Sequence, residues 1–266
     1  MTLFRGLPRM LLLVATLLQC LASFGVLALR RRLTVRDRAE WMQRSCQLTL
    51  RRMNIQLRVD GPLPPGGLIV ANHLSYLDIM LFGAAVPCVF VSKREIRSWP
   101  VVGMLASLGG TIFIDRGNSV STASVAAQMS ALLAQNVAVL LFPEGTSSDG
   151  SAVQRFHSSL FEPAISRGIP VTAAAIRYTL PGHEEKDLCY YGDIHFAPHL
   201  LQTLGREGIA GTVTFAPTCP TYPDRRTAAA ATWAQVTVMR QPERSSEVPT
   251  RLTPAPASPA ISPDTA

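Results

Sequence analysis

The chain has 266 residues, 47% of them apolar, with a positive mean hydropathy and a formal net charge of +7. That length holds one sizeable α/β core with extensions rather than a string of domains. The charge is confined: nine arginines between Arg30 and Arg58 face only Asp37 and Glu40, while Val59 to Ala266 carries 14 basic and 16 acidic side chains. This excludes the basic, aromatic-studded face that nucleic-acid binding needs and points instead to an anionic lipid surface as partner.

In chain order, Met10 to Leu29 comes first, 20 positions without a charge, about the length a helix needs to cross a ~30 Å hydrocarbon core. A cleaved signal peptide is the alternative, but Val26-Leu27-Ala28 is a poor cleavage site and Arg30, Arg31 and Arg32 resist export. Residues 1–33 are therefore read as a membrane anchor, with the following chain on the cytoplasmic face, which is the inner membrane in a bacterium. In residues 34–58, Val35, Ala39, Met42, Cys46, Leu50 and Met53 recur at steps of three and four among arginines. They predict a basic amphipathic helix, lying either on the membrane or packed on the domain that follows. Cys20, Cys46, Cys88, Cys189 and Cys219 show no CxxC pair and an odd total, which suits reduced thiols.

The folded domain is expected over 59–240. A short alternating strand at Ile55, Leu57 and Val59 leads into the Gly61 to Gly67 turn. Apolar β-rich runs follow at Leu68–Ala71, Cys88–Ser92, Thr111–Asp115, Val137–Phe142, Val171–Tyr178 and Thr212–Ala216. Helical stretches intervene at Leu77–Ala85, Val101–Leu108, Ser119–Ala134 and Leu160–Arg167. The alternation predicts an α/β fold with a central, largely parallel sheet flanked by helices. From about residue 241, a stretch rich in Pro, Ser, Thr and Ala predicts a disordered tail.

Two stretches carry chemistry. In Ala71-Asn72-His73-Leu74-Ser75-Tyr76-Leu77-Asp78 the chain leaves a strand and enters a helix. Residues five apart on a continuous helix are rotated by about 140°, so for the two side chains to meet, His73 must lie in the loop and Asp78 in the helix's first turn, with Ser75 as N-cap. A carboxylate-oriented imidazole at a strand end is the arrangement a general base needs to act on an alcohol. In Leu141-Phe142-Pro143-Glu144-Gly145-Thr146-Ser147-Ser148, a buried strand ends on an acid that calls for a partner and a glycine that admits a ligand close to the backbone. Arg116, ending a third strand, is placed to meet an anionic head group.

Other sites are excluded. There is no G-x-S-x-G elbow and no Cys beside a sequence-near His, so an acyl-enzyme on Ser or Cys is disfavoured. His195 and His199 are four apart, but Pro198 argues against the helix that would align them, and no H-E-x-x-H occurs, so no metal is expected.

His73 with Asp78, the strand ending at Arg116, the FPEGT segment and the Gly168-Ile169-Pro170-Val171 run resemble the four ordered blocks of the glycerolipid acyltransferase family, which includes 1-acylglycerol-3-phosphate acyltransferases. The resemblance covers roughly residues 60 to 220 and implies a glycerol-3-phosphate acyltransferase-like α/β fold. It implies that His73 takes the proton of a lysolipid hydroxyl as that oxygen attacks an acyl thioester, with Asp78 holding the ring. It assigns Arg116, Glu144, Gly145 and Thr146 to the acceptor's polar head and the Pro170 block to the acyl pocket. No cofactor is bound; acyl-acyl carrier protein or acyl-CoA is the co-substrate. The position after FPEGT, commonly arginine, is Ser147, and His157 follows Phe156 where lysine is frequent, with Arg155 nearby as a replacement cation. FPEGTSSDG, RFHSSLF and Tyr191-Gly192-Asp193 are closer to the lyso-ornithine lipid acyltransferase branch. The anchor either spans the bilayer or forms a shallow two-helix anchor with the amphipathic segment, as in some members of the family. A non-catalytic, membrane-tethered lipid-binding protein is the alternative of another class, but binding alone requires no base.

Overall fold

The computed structural model describes residues 2–30, 32–115 and 119–241. Arg116 and the expected tail from residue 242 lie outside the described residues. Among the described residues seven strands form one sheet: β1 (Gln56–Asp60), β2 (Leu68–Ala71), β3 (Cys88–Lys93), β4 (Ile112–Ile114), β5 (Ala138–Leu141), β6 (Val171–Thr179) and β7 (Ala210–Phe215), in the order β1-β7-β6-β2-β5-β3-β4. Among the described pairings only β6 with β7 is antiparallel. The sheet is thus largely parallel, with β1 and β7 opposed to the other five strands.

The central strands are apolar at every position because both of their faces are covered. Ile69, Leu140, Ala174 and Ile176 pack against α3 (Leu77–Ala85) and α2 (Val35–Met53). Leu68, Val139, Val171 and Ala173 pack on the other side with Val125 and Met129 of α5 (Ser119–Ala134) and Ala228 and Val236 of α8 (Arg225–Met239). Leu81 of α3 is fully buried, and cutting it to alanine would cost ~2–5 kcal/mol. The expected Leu160–Arg167 helix is shorter: a 3₁₀ turn at Ser159–Phe161 followed by α6 (Glu162–Ile165).

The amphipathic helix α2 is packed on the domain. Ala39, Cys46, Leu50 and Met53 are all buried, and a Cβ at Gly83 of α3 would stand 2.8 Å from Cys46 Sγ. Its stripe is used against α3 and is not free for lipid. Thr34 and Asp37 close a capping box at its start.

The apolar helix α1 (Thr2–Arg30) is long and apolar enough to cross a membrane, yet both of its ends touch the domain. Near its start, a Cβ on Gly6 would stand 2.6 Å from Leu201 O in α7 (Phe196–Gly205), and Arg9 Nη1 donates to Leu204 O and Arg206 O at 2.9 and 2.6 Å. Those carbonyls close the C-terminal end of α7, where helices leave acceptors unsatisfied. Towards its end, Trp41 Nε1 of α2 donates to Ser23 Oγ at 3.0 Å, and Cys20 is buried beside Trp41 and Leu105 of α4 (Val102–Leu108). The outward face shows Leu7, Leu11, Val14, Leu18, Val26 and Leu29, so α1 lies along the domain with an apolar stripe turned away from it.

Candidate active site

β2, β5 and β6 run parallel, so their C-terminal ends share one rim, the usual place for a ligand in an open α/β sheet. At that rim Asn72 prolongs β2 by side-chain bonds to β6: Nδ2 donates to Ile176 O at 3.2 Å and Oδ1 accepts Ile176 N at 2.9 Å. His73 follows in the loop. Its Nδ1 stands 2.6 Å from Asp78 Oδ2, and the same oxygen accepts Leu74 N at 2.7 Å and Ser75 N at 3.1 Å. Asp78, in the first turn of α3, therefore ties down the loop that carries its own partner. Ser75 is not the cap expected from the sequence. Tyr76 occupies the N-cap position without a side-chain cap bond, and Ser75 Oγ is buried with no partner. The His73 ring stacks on Phe142, centroids 4.2 Å apart at 15°. Its side chain is 21% exposed while that of Asp78 is fully buried. Among the described residues nothing engages Nε2.

The segment after β5 grips the backbone of His73 from the other side. Glu144 Oε2 accepts His73 N at 3.2 Å and Oε1 accepts Gln154 N at 3.1 Å. Ser148 N donates to His73 O at 3.0 Å. Burial pushes the Glu144 carboxyl up to about 8, against the two backbone N–H donors that favour its charged form. Gly145 turns the chain at φ +80°, a value that disfavours any side chain. Thr146 is exposed, and Ser147 Oγ donates to Tyr190 O. Arg155 is exposed at the same rim, because its neighbours are pinned there: Gln154 by Glu144, and His157 N by Pro143 O at 2.9 Å.

The structure thus brings His73, Asp78, Glu144, Gly145, Thr146, Ser147 and Arg155 to one rim. Pro170 lies apart from this rim, and the acyl-pocket expectation does not require it there. Pro170 precedes β6 and its carbonyl accepts Leu68 N at 3.1 Å, at the opposite end of the strands. His73 lies five residues beyond Leu68, which at ~3.3 Å per residue separates the two by roughly 16 Å. Arg116 lies outside the described residues, although β4 ends at the same rim.

The helix that Pro198 argued against does form. Pro198 stands in the first turn of α7, where the missing N–H is no loss. His195 is its exposed N-cap, and buried His199 meets Tyr76 Oη through Nδ1 at 3.0 Å. Among the described residues no group of His, Cys, Asp and Glu side chains could hold a metal ion. Burial pushes the thiols of Cys46 and Cys189 up to about 12, which disfavours the thiolate an acyl-enzyme would require.

Sequence reasoning passed over Tyr178, whose hydroxyl donates to Asp78 Oδ1. The signal was there: alternation along β6 puts Ala174, Ile176 and Tyr178 on the α3 face, where Asp78 begins its helix. Arg240 and Glu185 were also missed. They form a bidentate pair at 2.8 Å beside the Tyr178 backbone.

A family model described as Acyltransferase matches residues 54–177. The chain is 36% identical over 188 residues to a lyso-ornithine lipid O-acyltransferase of Pseudomonas aeruginosa, covering 70% of this chain and 69% of the relative. It is 34% identical over 206 residues to one of Rhodobacter capsulatus, covering 72% of each. A 1-acyl-sn-glycerol-3-phosphate acyltransferase of Neisseria meningitidis is 38% identical over 132 residues, covering 48% of this chain and 52% of the relative. The crystal structure of the 1-acyl-sn-glycerophosphate acyltransferase from Thermotoga maritima shares the fold, with a TM-score of 0.64 at 19% identity over 90% of this chain and 96% of that one. The chain belongs to the acyltransferase family.

Proposed function

We propose that the protein transfers a fatty acyl group from an acyl thioester to the hydroxyl of a lysolipid at a membrane surface, and that a lyso-ornithine lipid is its preferred acceptor. The observation that carries the reaction is the His73 ring held through Nδ1 by a buried carboxylate, with Nε2 unengaged at the rim. In this reading Nε2 takes the proton of the acceptor hydroxyl as its oxygen attacks the thioester carbonyl. The tetrahedral intermediate then expels the thiolate of acyl carrier protein or coenzyme A, which takes the proton back from the imidazolium. Asp78 stabilises that imidazolium between the two steps. The acyl group passes directly to the acceptor oxygen, with no covalent intermediate on the protein. Glu144 acts on the base rather than on the substrate, since both of its oxygens are engaged by backbone N–H groups.

Charge favours the acceptor with the less anionic head. Ser147 and His157 stand where phosphate-binding members of the family frequently carry cations, and Ser147 Oγ is turned inward to Tyr190 O. Among the described residues, exposed Arg155 and Thr146 are placed to meet a head group. The two relatives named lyso-ornithine lipid acyltransferases also match over more of their own length than the neisserial phosphatidate-type relative does. The outward stripe of α1 would lie in the lipid interface with the domain on the cytoplasmic side, next to the arginines of residues 30–58. Incubating purified protein with acyl thioesters and a panel of lysolipids, then weighing the products, tests the reading. A diacylated ornithine lipid is the expected product, and no acylated lysolipid of any kind would reject the proposal.

A further inference from the structure

Asp78 is fully buried, so both of its oxygens need donors. Oδ2 has three: His73 Nδ1, Leu74 N and Ser75 N. Oδ1 faces the end of β6, where the hydroxyl of Tyr178 donates to it. A phenylalanine would fill the same apolar space, so the hydroxyl serves the carboxylate rather than the core. We propose that Tyr178 is a positioning residue of the acyl-transfer reaction: it fixes the carboxylate that orients His73, and the Arg240–Glu185 ion pair in turn holds Tyr178. This rests on the general-base reading of His73 and adds a third side chain to that machinery.

The support reaches beyond one contact. Tyr178 N donates to Glu185 Oε1 at 2.7 Å, and Arg240 clasps both oxygens of Glu185 at 2.8 Å. Arg240 also donates to Ile176 O at 3.0 Å and to Gly150 O at 2.7 Å, with its own side chain only 9% exposed. The C-cap of α8 therefore locks β6 where Tyr178 leaves it, together with the loop whose Ser148 grips His73. Burial and the neighbouring Asp78 push the Tyr178 hydroxyl well above its ordinary range, so it remains a donor throughout the working pH. The titratable and charged groups around the dyad are Glu144 from the β5 side, Tyr178, Cys189 and Glu185 from the β6 side, and Arg240 from α8.

The hydroxyl does two things to Asp78. It stops the carboxylate from turning, and it draws negative charge towards Oδ1, away from the oxygen that faces the imidazole. Removing it concentrates charge on Oδ2, so the imidazolium is better stabilised and the base holds its proton to higher pH. At the same time the carboxylate, held now through Oδ2 alone, aims the imidazole less firmly and turnover falls.

The test is kcat and KM across pH for full-length Tyr178→Phe. The expected result is a plateau kcat ~10–100-fold lower, as for loss of a hydrogen bond to a charged group. KM stays close to wild type, and the acid limb of kcat moves up by roughly one pH unit. Val213→Ala, which opens a cavity in fully buried β7 packing, should lower Tm and leave the acid limb in place. Arg240→Met should move the limb in the same direction as Tyr178→Phe by a smaller step. An acid limb unmoved in Tyr178→Phe, whatever its Tm, overturns the proposal. His73→Ala, measured alongside, separates this from failure of the base itself: if that variant turns over like wild type, the general-base reading falls, and Tyr178's role with it.

Discussion

Glu144 accepts the backbone N–H of His73 at 3.2 Å, joining two sequence blocks 71 residues apart. With Ser148 N on the His73 carbonyl, both backbone polar groups of the base are held by the segment that follows β5. The FPEGT segment is therefore, on this geometry, first a cradle for the histidine.

That contact has a pH signature. The Glu144 carboxyl is raised from 4.5 to about 8, so between those values the folded chain keeps a proton that the unfolded chain has released. Stability must then fall as pH rises through the window. Glu144→Gln removes the titration. The Tm of wild type minus that of the variant should shrink steadily between about pH 5 and pH 8. A difference that holds constant or widens would mean the carboxylate is ionised throughout.

The apolar stripe on α1 makes a second prediction. Leu11 and Leu18 are 70% and 52% exposed, so replacing them with Asp disturbs little packing, yet each charge costs up to ~3 kcal/mol in lipid. Leu11→Asp with Leu18→Asp should leave Tm within a degree or two of wild type and markedly weaken flotation with liposomes. A variant that floats as well as wild type would show that this face does not enter the membrane.

Much of the fold was legible because its signals are local. The bounds of α3 and α5 match the sequence reading, as does β2, since a central parallel strand is a short apolar run between turns. Helices α7 and α8 were not legible. Pro198 masked the first turn of α7, and the alanines of α8 bury a face too small to stand out by pattern. In the site, His73 and Asp78 were visible because they stand only five positions apart in the sequence. Tyr178 is 100 residues from Asp78, and Arg240 is 55 from Glu185; only the strand order of the sheet and the return of α8 bring them together. That Pro170 lies at the other end of the strands was not legible either: a family block says nothing of which end of a strand it occupies.

Acceptor choice is tested by charge. A phosphate monoester is usually met by several charge-assisted bonds, each contributing ~1.5–3 kcal/mol when shielded from water. Ser147→Arg should raise kcat/KM for lysophosphatidate by about tenfold or more relative to a lyso-ornithine lipid, if the added guanidinium reaches the head group at the strength of one such bond. Wild type that strongly prefers lysophosphatidate, with the preference lost in Arg155→Ala, would instead make Arg155 the phosphate contact.

The central claim is that His73, oriented by Asp78, is the base that activates the acceptor hydroxyl. The most direct measurement is acyl transfer from a labelled thioester to the accepted lysolipid by wild type, His73→Ala and Asp78→Asn, each with an unchanged circular dichroism spectrum. General-base catalysis typically contributes ~10²–10⁴-fold, so His73→Ala should lose at least about a hundredfold in kcat, and Asp78→Asn should also be strongly impaired because the amide stabilises an imidazolium poorly and favours the wrong tautomer. A folded His73→Ala that turns over at near wild-type rate would contradict the account.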